Sequence, residues 1–184
     1  MTEVKNPSQL FLQERDDKAS GTVIVPTIEG SRTILVEVQA LVSSATFSTP
    51  QRLTTGVDKK RVSILLAVLE KKAGFSFQNF DVHLNITGGL KVNEPALDLA
   101  LITSIISSHR DISISPGVAV VGEVGLTGEI RAVSQIKKRI NELKKMGFKE
   151  AIIPSGNYDK LSDTPDISLK KVKNIKEVID YLFG

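Results

Sequence analysis

Two neighbouring stretches decide the fold: GGLKVNEPALDLALITSII at residues 88–106 and VVGEVGLTGEIRAVSQIKKR at residues 120–139. In the first, Gly88 and Gly89 break an alternating segment, and Pro95 stands where a first helical turn tolerates a missing N–H. The residues that follow are apolar nearly all round, so the helix expected over 95–108 is buried on every side. In the second, a continuous apolar run over 118–123 reads as a buried strand. Gly125 and Gly128 then flank a tight turn into Glu129, Ile130 and Arg131. Ser134 is positioned to cap a third helix whose inner stripe is Ile136, Ile140 and Leu143, closed by Gly147. AIIP at 151–154 is a short buried strand stopped by Pro154.

Outward from this block the same logic continues. Residues 21–25 and 33–42 are β-branched strands joined by a turn at Pro26, Glu29 and Gly30, a hairpin. Residues 43–57 are rich in Ser, Thr, Pro and Gly and read as a loop. Asp58 caps a helix to residue 73 with Val62, Leu65, Leu66 and Leu69 on one face, and Gly74 terminates it. Residues 81–87 alternate as a strand. Residues 155–166 read as a loop, 167–172 as a strand, and 175–182 as a last helix capped by Asn174. Interleaved strands and helices with an early hairpin imply an α+β domain, a mixed sheet packed with helices, over 20–184. Residues 1–19 are polar and read as a linker or lead-in, with Leu10, Phe11 and Leu12 as a possible docking patch.

The chain has 184 residues, 41% hydrophobic and 24% charged, which is enough apolar material for a core of Val, Ile and Leu. Cysteine is absent, which excludes disulfides, thiolate metal ligands and a cysteine nucleophile. His83 and His109 are too few for a histidine-rich metal site and read as polar surface residues, His109 following a helix. No apolar run approaches the roughly 20 residues a membrane helix needs, and the first residues lack a secretory pattern. A cytoplasmic protein without a membrane partner is expected. The net charge of +3 permits a nucleic-acid partner without requiring one.

Three enzyme signatures are missing: the Gly-x4-Gly-Lys-Ser/Thr phosphate loop, the Gly-x-Ser-x-Gly elbow and HExxH. The cluster at Gly122, Gly125 and Gly128 contains Glu123 and leads into a strand, so it reads as a hairpin turn rather than a phosphate cradle.

Taken in order, Gly88-Gly-Leu-Lys, the Pro95 helix, VVGEVGLTGEIR, IKKR and AIIP resemble the proteolytic domain of Lon. The flanking blocks VKNPSQLFLQER (4–15), ASGTVIVP (19–26) and VEVQALV (36–42) resemble the carboxy-terminal Lon-like domain of the bacterial RadA (Sms) recombination family, over nearly all of residues 4–155. The resemblance implies the Lon proteolytic-domain-like fold, also described as ribosomal protein S5 domain 2-like. Lon cleaves with a serine–lysine dyad, in which lysine deprotonates the attacking serine. On this chain the serine position falls on Ala96 and the lysine on Lys137, and Asp98 replaces a glycine. A methyl group cannot attack, so the resemblance implies a non-catalytic chain with no cofactor. ATP, Mg and Zn are expected only in domains outside it, in a family whose whole protein is a DNA-dependent ATPase or helicase. It further implies a hexameric ring, single-stranded or branched DNA, and a RecA-type recombinase as possible partners.

With no peptidase, the surface must act. Basic residues gather at Arg52, Lys60, Arg61 and Lys91, along the third helix at Lys137, Lys138, Arg139, Lys144 and Lys145, and in the tail at Lys170, Lys171, Lys173 and Lys176. The expected phosphate contacts are Arg52, Lys60, Arg61 and Lys91, because the loop around Arg52 is free of acids between Glu37 and Asp58. A purely structural assembly platform and a residual peptidase built on Ser134 and Lys137 are the competing readings.

Overall fold

The computed structural model describes residues 6–161, 164 and 166–184, without the side chains of Leu10 and Phe11, so the docking role expected of those two lies outside the described residues. In chain order the elements are α1 (Pro7–Leu12), β1 (Thr22–Glu29), β2 (Arg32–Ser44), β3 (Arg52–Thr55), α2 (Lys59–Ala73), β4 (Phe80–Ile86), α3 (Asp98–Arg110), β5 (Val118–Val120), β6 (Glu123–Val124), β7 (Ile130–Arg131), α4 (Ile136–Lys145), β8 (Glu150–Pro154), α5 (Ser155–Tyr158), β9 (Ser168–Val172) and α6 (Ile175–Phe183).

Seven strands form one sheet in the order β3-β4-β2-β1-β5-β8-β9, and β6 pairs with β7 in a separate small ribbon. The β1–β2 hairpin and the β2–β4 pair are antiparallel, whereas β3–β4, β1–β5, β5–β8 and β8–β9 are parallel. This is the expected mixed sheet. Helix α2 starts on Asp58, whose carboxylate accepts from the Lys60 N–H. It ends at Gly74, whose φ of 74° is the left-handed value that glycine adopts without strain. Helix α3 is buried almost throughout, as its sequence demands.

The register of β2 explains how the sheet is covered. Residues 34–38 are buried on both faces, whereas beyond them Gln39, Leu41 and Ser43 are exposed and Ala40 is buried. Helices α1 and α4 pack on β2. The second half of one face of β2 is bare, and Leu41, His83 and Leu53 lie in one row across β2, β4 and β3.

Seven local expectations change. Pro26 lies within β1, paired with Leu35, rather than in the turn, and residues 155–158 form α5 rather than loop. Residues 43–57 are not all loop: β3 adds an edge strand, too short for its alternation to stand out. The lead-in is not a free tether. Ser8 in α1 is fully buried; its hydroxyl donates to Glu142 at 2.9 Å and accepts the Leu35 N–H at 3.0 Å, which β2 leaves unpaired where β4 has ended. Arg15 adds a bond to the Pro116 carbonyl. Ser134 does not cap α4: Gln135 takes that place at φ 54° with no side-chain bond, and the Arg139 side chain reaches back to the Ser134 carbonyl instead. His109 lies inside α3 rather than after it. It is no ordinary surface residue, because Phe75, Phe77 and Phe80 surround its ring at 4.8–5.8 Å. The run 118–123 is split at Gly122, and that split builds the site.

Candidate functional site

Ala96 is the middle residue of a single 3-10 turn, Pro95–Leu97, that feeds directly into α3. Its carbonyl accepts the Gly122 N–H at 3.1 Å, and the Gly122 carbonyl accepts the Leu99 N–H at 3.0 Å. The end of β5 is therefore stitched to the start of the buried helix. Gly122 makes the close approach possible: a Cβ there would lie 2.9 Å from Ile130 Cγ2 and 3.3 Å from Leu99 Cδ2.

Two ion pairs are made by the residues two places before and two places after Ala96. Glu94 meets Arg139 in a bidentate pair, Nη1 to Oε1 and Nη2 to Oε2, both at 2.8 Å. Arg139 is 0% exposed and spends its other donors on the Pro26 and Ser134 carbonyls, while Glu94 also accepts the Ile28 N–H. This one guanidinium ties together β1, the Ala96 turn and α4. On the other side Asp98 pairs with Arg61 through both carboxylate oxygens. Arg61 Nε lies 2.8 Å from Oδ1, and Nη2 contacts Oδ2. Hydrogen bonding to Asp98 raises the Arg61 pKa further above its ordinary value, so this cation never titrates in practice. Asp98 Oδ2 also accepts the Val124 N–H at 3.0 Å, and Arg61 donates to the Val124 carbonyl at 2.9 Å. Both backbone groups on the outer edge of β6 are thus taken by side chains.

Beside this seat a cleft of about 530 Å³ is lined by the apolar Val57, Pro95, Leu97 and Leu101 and by Asp58, Glu94, Asp98 and Glu123. Glu94 and Asp98 are neutralised by their arginines. Asp58 and Glu123 have no such partner among the described residues, so the cleft is anionic on a chain of net charge +3.

The residues expected to contact phosphate separate into two groups. Lys60 at the start of α2 and Lys91 beyond the Gly88–Gly89 bend are exposed. Arg52 and Arg61 are committed inward. Arg52 donates to the Phe77 carbonyl at 2.8 Å and to the Phe80 carbonyl, clasping the turn before β4, and Arg61 holds Asp98. The expectation that a loop without acids leaves Arg52 free overlooked carbonyl oxygens as acceptors. Lys137, which the resemblance matches to the dyad lysine, is exposed on the first turn of α4, and Ser134 is exposed beside it. Sequence reasoning also missed the burial of Arg139. The signal was there, since residues 136, 139, 140 and 143 share one helical stripe and the stripe faces the sheet. Glu94, Ser8 and Glu142 carried no comparable mark. Among the described residues no cluster of His, Asp and Glu could hold a metal, and no helix is long and apolar enough to cross a membrane.

A mixed sheet packed with helices, with a helix-opening turn stitched to a small β ribbon, is the architecture of a Lon-type proteolytic domain. The chain belongs to the family of the Lon protease (S16) C-terminal proteolytic domain, which it matches over residues 11–184. It is similar along its whole length to proteins named DNA repair protein RadA: 48% identical to that of Bacillus subtilis (strain 168), 47% to that of Streptococcus pneumoniae (strain ATCC BAA-255 / R6) and 43% to that of Halalkalibacterium halodurans. The chain covers 40%, 44% and 40% of those three relatives, respectively.

Proposed function

We propose that this chain is a non-proteolytic Lon-type domain serving a DNA repair protein, and that it contributes assembly and sequence-independent contact to DNA phosphates. The observation that carries the first part is the alanine at position 96, in a turn whose neighbours Glu94 and Asp98 are each held in an ion pair. There is no oxygen to attack a carbonyl, and the backbone edge of β6 that an extended peptide would pair with is already satisfied. The relatives' printed name, DNA repair protein RadA, supports the second part. Recombination of branched intermediates, a hexameric ring, ATP-driven activity and a RecA-type partner belong to the same proposal, for the longer protein of which such a domain is a part.

For DNA the reading relies on the exposed cations Lys60 and Lys91 and on the outer face of α4, with Arg52 and Arg61 as structural residues. The test is twofold. Ala96→Ser, with unfolded casein as substrate and an acyl-trapping phosphonate as probe, is expected to show neither turnover nor adduct. The parent chain is assayed beside it: appearance of either in the parent overturns the non-proteolytic reading, and appearance in Ala96→Ser alone overturns the closed seat. An anisotropy titration with single-stranded DNA at several salt concentrations is expected to show affinity that falls steeply with salt. Salt-independent or absent binding overturns the DNA part.

The platform reading has one observation of its own. The uncovered row Leu41, His83 and Leu53 adjoins the β3 edge strand, and Leu41 and Leu53 are each more than half exposed. Light scattering of the parent and of Leu41→Ser/Leu53→Ser tests it: a monomer in both removes self-assembly through this face.

A further inference from the structure

A second cleft, of about 370 Å³, opens on the far side of α4, between that helix, the N-terminal α1 segment and the β1–β2 turn. Arg32, Lys138 and Lys145 line it together with Ser31, Thr33 and Asn141. Its cations come from two independent, rigid supports. Residues 138, 141, 142 and 145 share one face of α4 by helical spacing, and Lys138 and Lys145 are two turns apart, about 10 Å along the axis. Arg32 opens β2 directly after the turn made by Gly30 at φ 60°. All three cations are exposed, and none makes an ion pair within 4.0 Å among the described residues.

One acid shares the cleft, Glu142, and it is held away from the cations. It is 9% exposed, and its Oε1 accepts from Ser8 Oγ at 2.9 Å and from Asn6 Nδ2 at 3.2 Å. Both donors belong to the N-terminal segment, which also forms a wall of the cleft through Asn6 and Pro7. The segment therefore does two things at once. It closes one side of a cationic hollow, and it occupies the carboxylate that would otherwise compete with an anion for Lys138 and Lys145. Hydroxyls of Ser31 and Thr33 and the Asn141 amide add neutral donors of the kind that phosphate oxygens accept from.

We propose that this cleft binds phosphate groups through Arg32, Lys138 and Lys145, and that the docked N-terminal segment sets its affinity through Ser8, Asn6 and Glu142. The inference deepens the DNA reading above, on which it rests for the source of the phosphate: a nucleic-acid strand running along the outer face of α4. A free phosphate or pyrophosphate ion offers the same chemistry, and the experiment separates the two.

The experiment titrates the full chain with a labelled single-stranded oligonucleotide at several salt concentrations, beside Arg32→Gln/Lys138→Gln/Lys145→Gln, Asn6→Ala and Lys60→Gln/Lys91→Gln. The triple variant is expected to bind about tenfold more weakly, from three exposed charge pairs. Its dependence of log affinity on log salt should be shallower by about 2, from three lost contacts to a single strand. Asn6→Ala removes one donor to Glu142 while leaving the buried Ser8 in place, and it is expected to weaken binding severalfold with the salt slope unchanged. If the triple variant keeps the parental affinity and slope while the Lys60/Lys91 variant loses them, the cleft is refuted and the DNA reading stands. Should the parent bind no oligonucleotide, the DNA reading fails, and pyrophosphate followed by backbone amide shifts decides the cleft alone. Shifts confined to residues 31–34 and 138–145 sustain it as a site for a free ion, and their absence overturns it. Parental affinity in Asn6→Ala overturns the control by the N-terminal segment.

Discussion

Removing the Arg139 guanidinium tests whether the closed seat around Ala96 rests on the Glu94 pair. In Arg139→Met the side-chain volume is largely kept and all four hydrogen bonds are lost: two to Glu94, one to the Pro26 carbonyl and one to the Ser134 carbonyl. The Glu94 side chain is 22% exposed and regains some water, whereas the arginine's own site is 1% exposed. Breaking a buried pair by deleting one partner costs about 3–5 kcal/mol, and the partial exposure of Glu94 places this case near about 3. For a domain of this length that lowers the midpoint of thermal unfolding by about 6–12 °C. Urea denaturation followed by far-ultraviolet circular dichroism measures it. Glu94→Gln in the same background removes the stranded charge while keeping an acceptor for the Ile28 N–H, so the double variant is expected to recover at least about 1 kcal/mol relative to Arg139→Met. A loss below about 1 kcal/mol in Arg139→Met, or no recovery in the double variant, means that the pair is not what holds β1, the Ala96 turn and α4 together.

Three further outcomes follow from the same geometry. Ser8→Ala leaves the Leu35 N–H and the Glu142 carboxylate without their shared partner, a cost of about 1–3 kcal/mol; faster hydrogen exchange at the Leu35 amide and proteolytic release of the first residues are the readouts, and unchanged exchange contradicts the docking. Burial, followed by the Arg110 charge, lowers the His109 pKa from its ordinary value of 6.5, so the unfolded chain binds the proton more readily and stability falls as pH drops below that value. Burial raises the Glu37 pKa above 4.5, which gives the opposite sign: stability falls as pH climbs from 4.5 through the raised value. His109→Phe should flatten the acid limb and Glu37→Gln the other, in urea titrations at intervals of pH; identical profiles in all three proteins refute both assignments. Gly122→Ala places a methyl against Ile130 and Leu99 and should cost about 1–3 kcal/mol by overpacking, and a neutral substitution would mean that the β5–α3 stitch is loose.

Legibility in the sequence followed the range of the interactions involved. Hydrophobic period, caps and glycines are local, so α2 with Asp58 and Gly74 was readable within a residue or two, while the existence of the β1–β2 hairpin and of the buried α3 was readable with bounds three or four residues off at one end. The edge strand β3 was not, because four residues of mixed polarity carry too little alternation, and only pairing with β4 defines them. Cations were the least readable class. A run such as IKKR shows charges but not acceptors, and its members divide in space: Lys137 and Lys138 point to solvent, whereas Arg139 is fully buried. Arg52 failed for the same reason. Its acceptors are main-chain carbonyls 25 and 28 residues away, which no charge count registers. Ser8 and Glu142 are 134 residues apart and became partners only once the N-terminal segment folded back on α4.

The alanine at residue 96 and the acid at residue 98 fit one physical reading, the non-proteolytic one proposed above. A peptidase must keep a backbone edge open beside its nucleophile so that an extended substrate can pair with it, and an open edge in a partly buried site leaves polar groups unsatisfied until substrate arrives. On the proposed non-proteolytic reading, nothing requires such an open edge, and a side chain that fills it stabilises the fold. Asp98 does so by accepting the Val124 N–H, and Arg61 completes the arrangement by donating to the Val124 carbonyl while neutralising the acid. The cost of a charged group with 1% exposure is met only because its partner is bidentate. A serine placed at 96 would therefore stand beside an edge already closed by Asp98 and Arg61. On the non-proteolytic reading proposed above, the outward lysines of α4 are the cations of this region left exposed, whereas Arg61 and Arg139 are committed to Asp98 and Glu94.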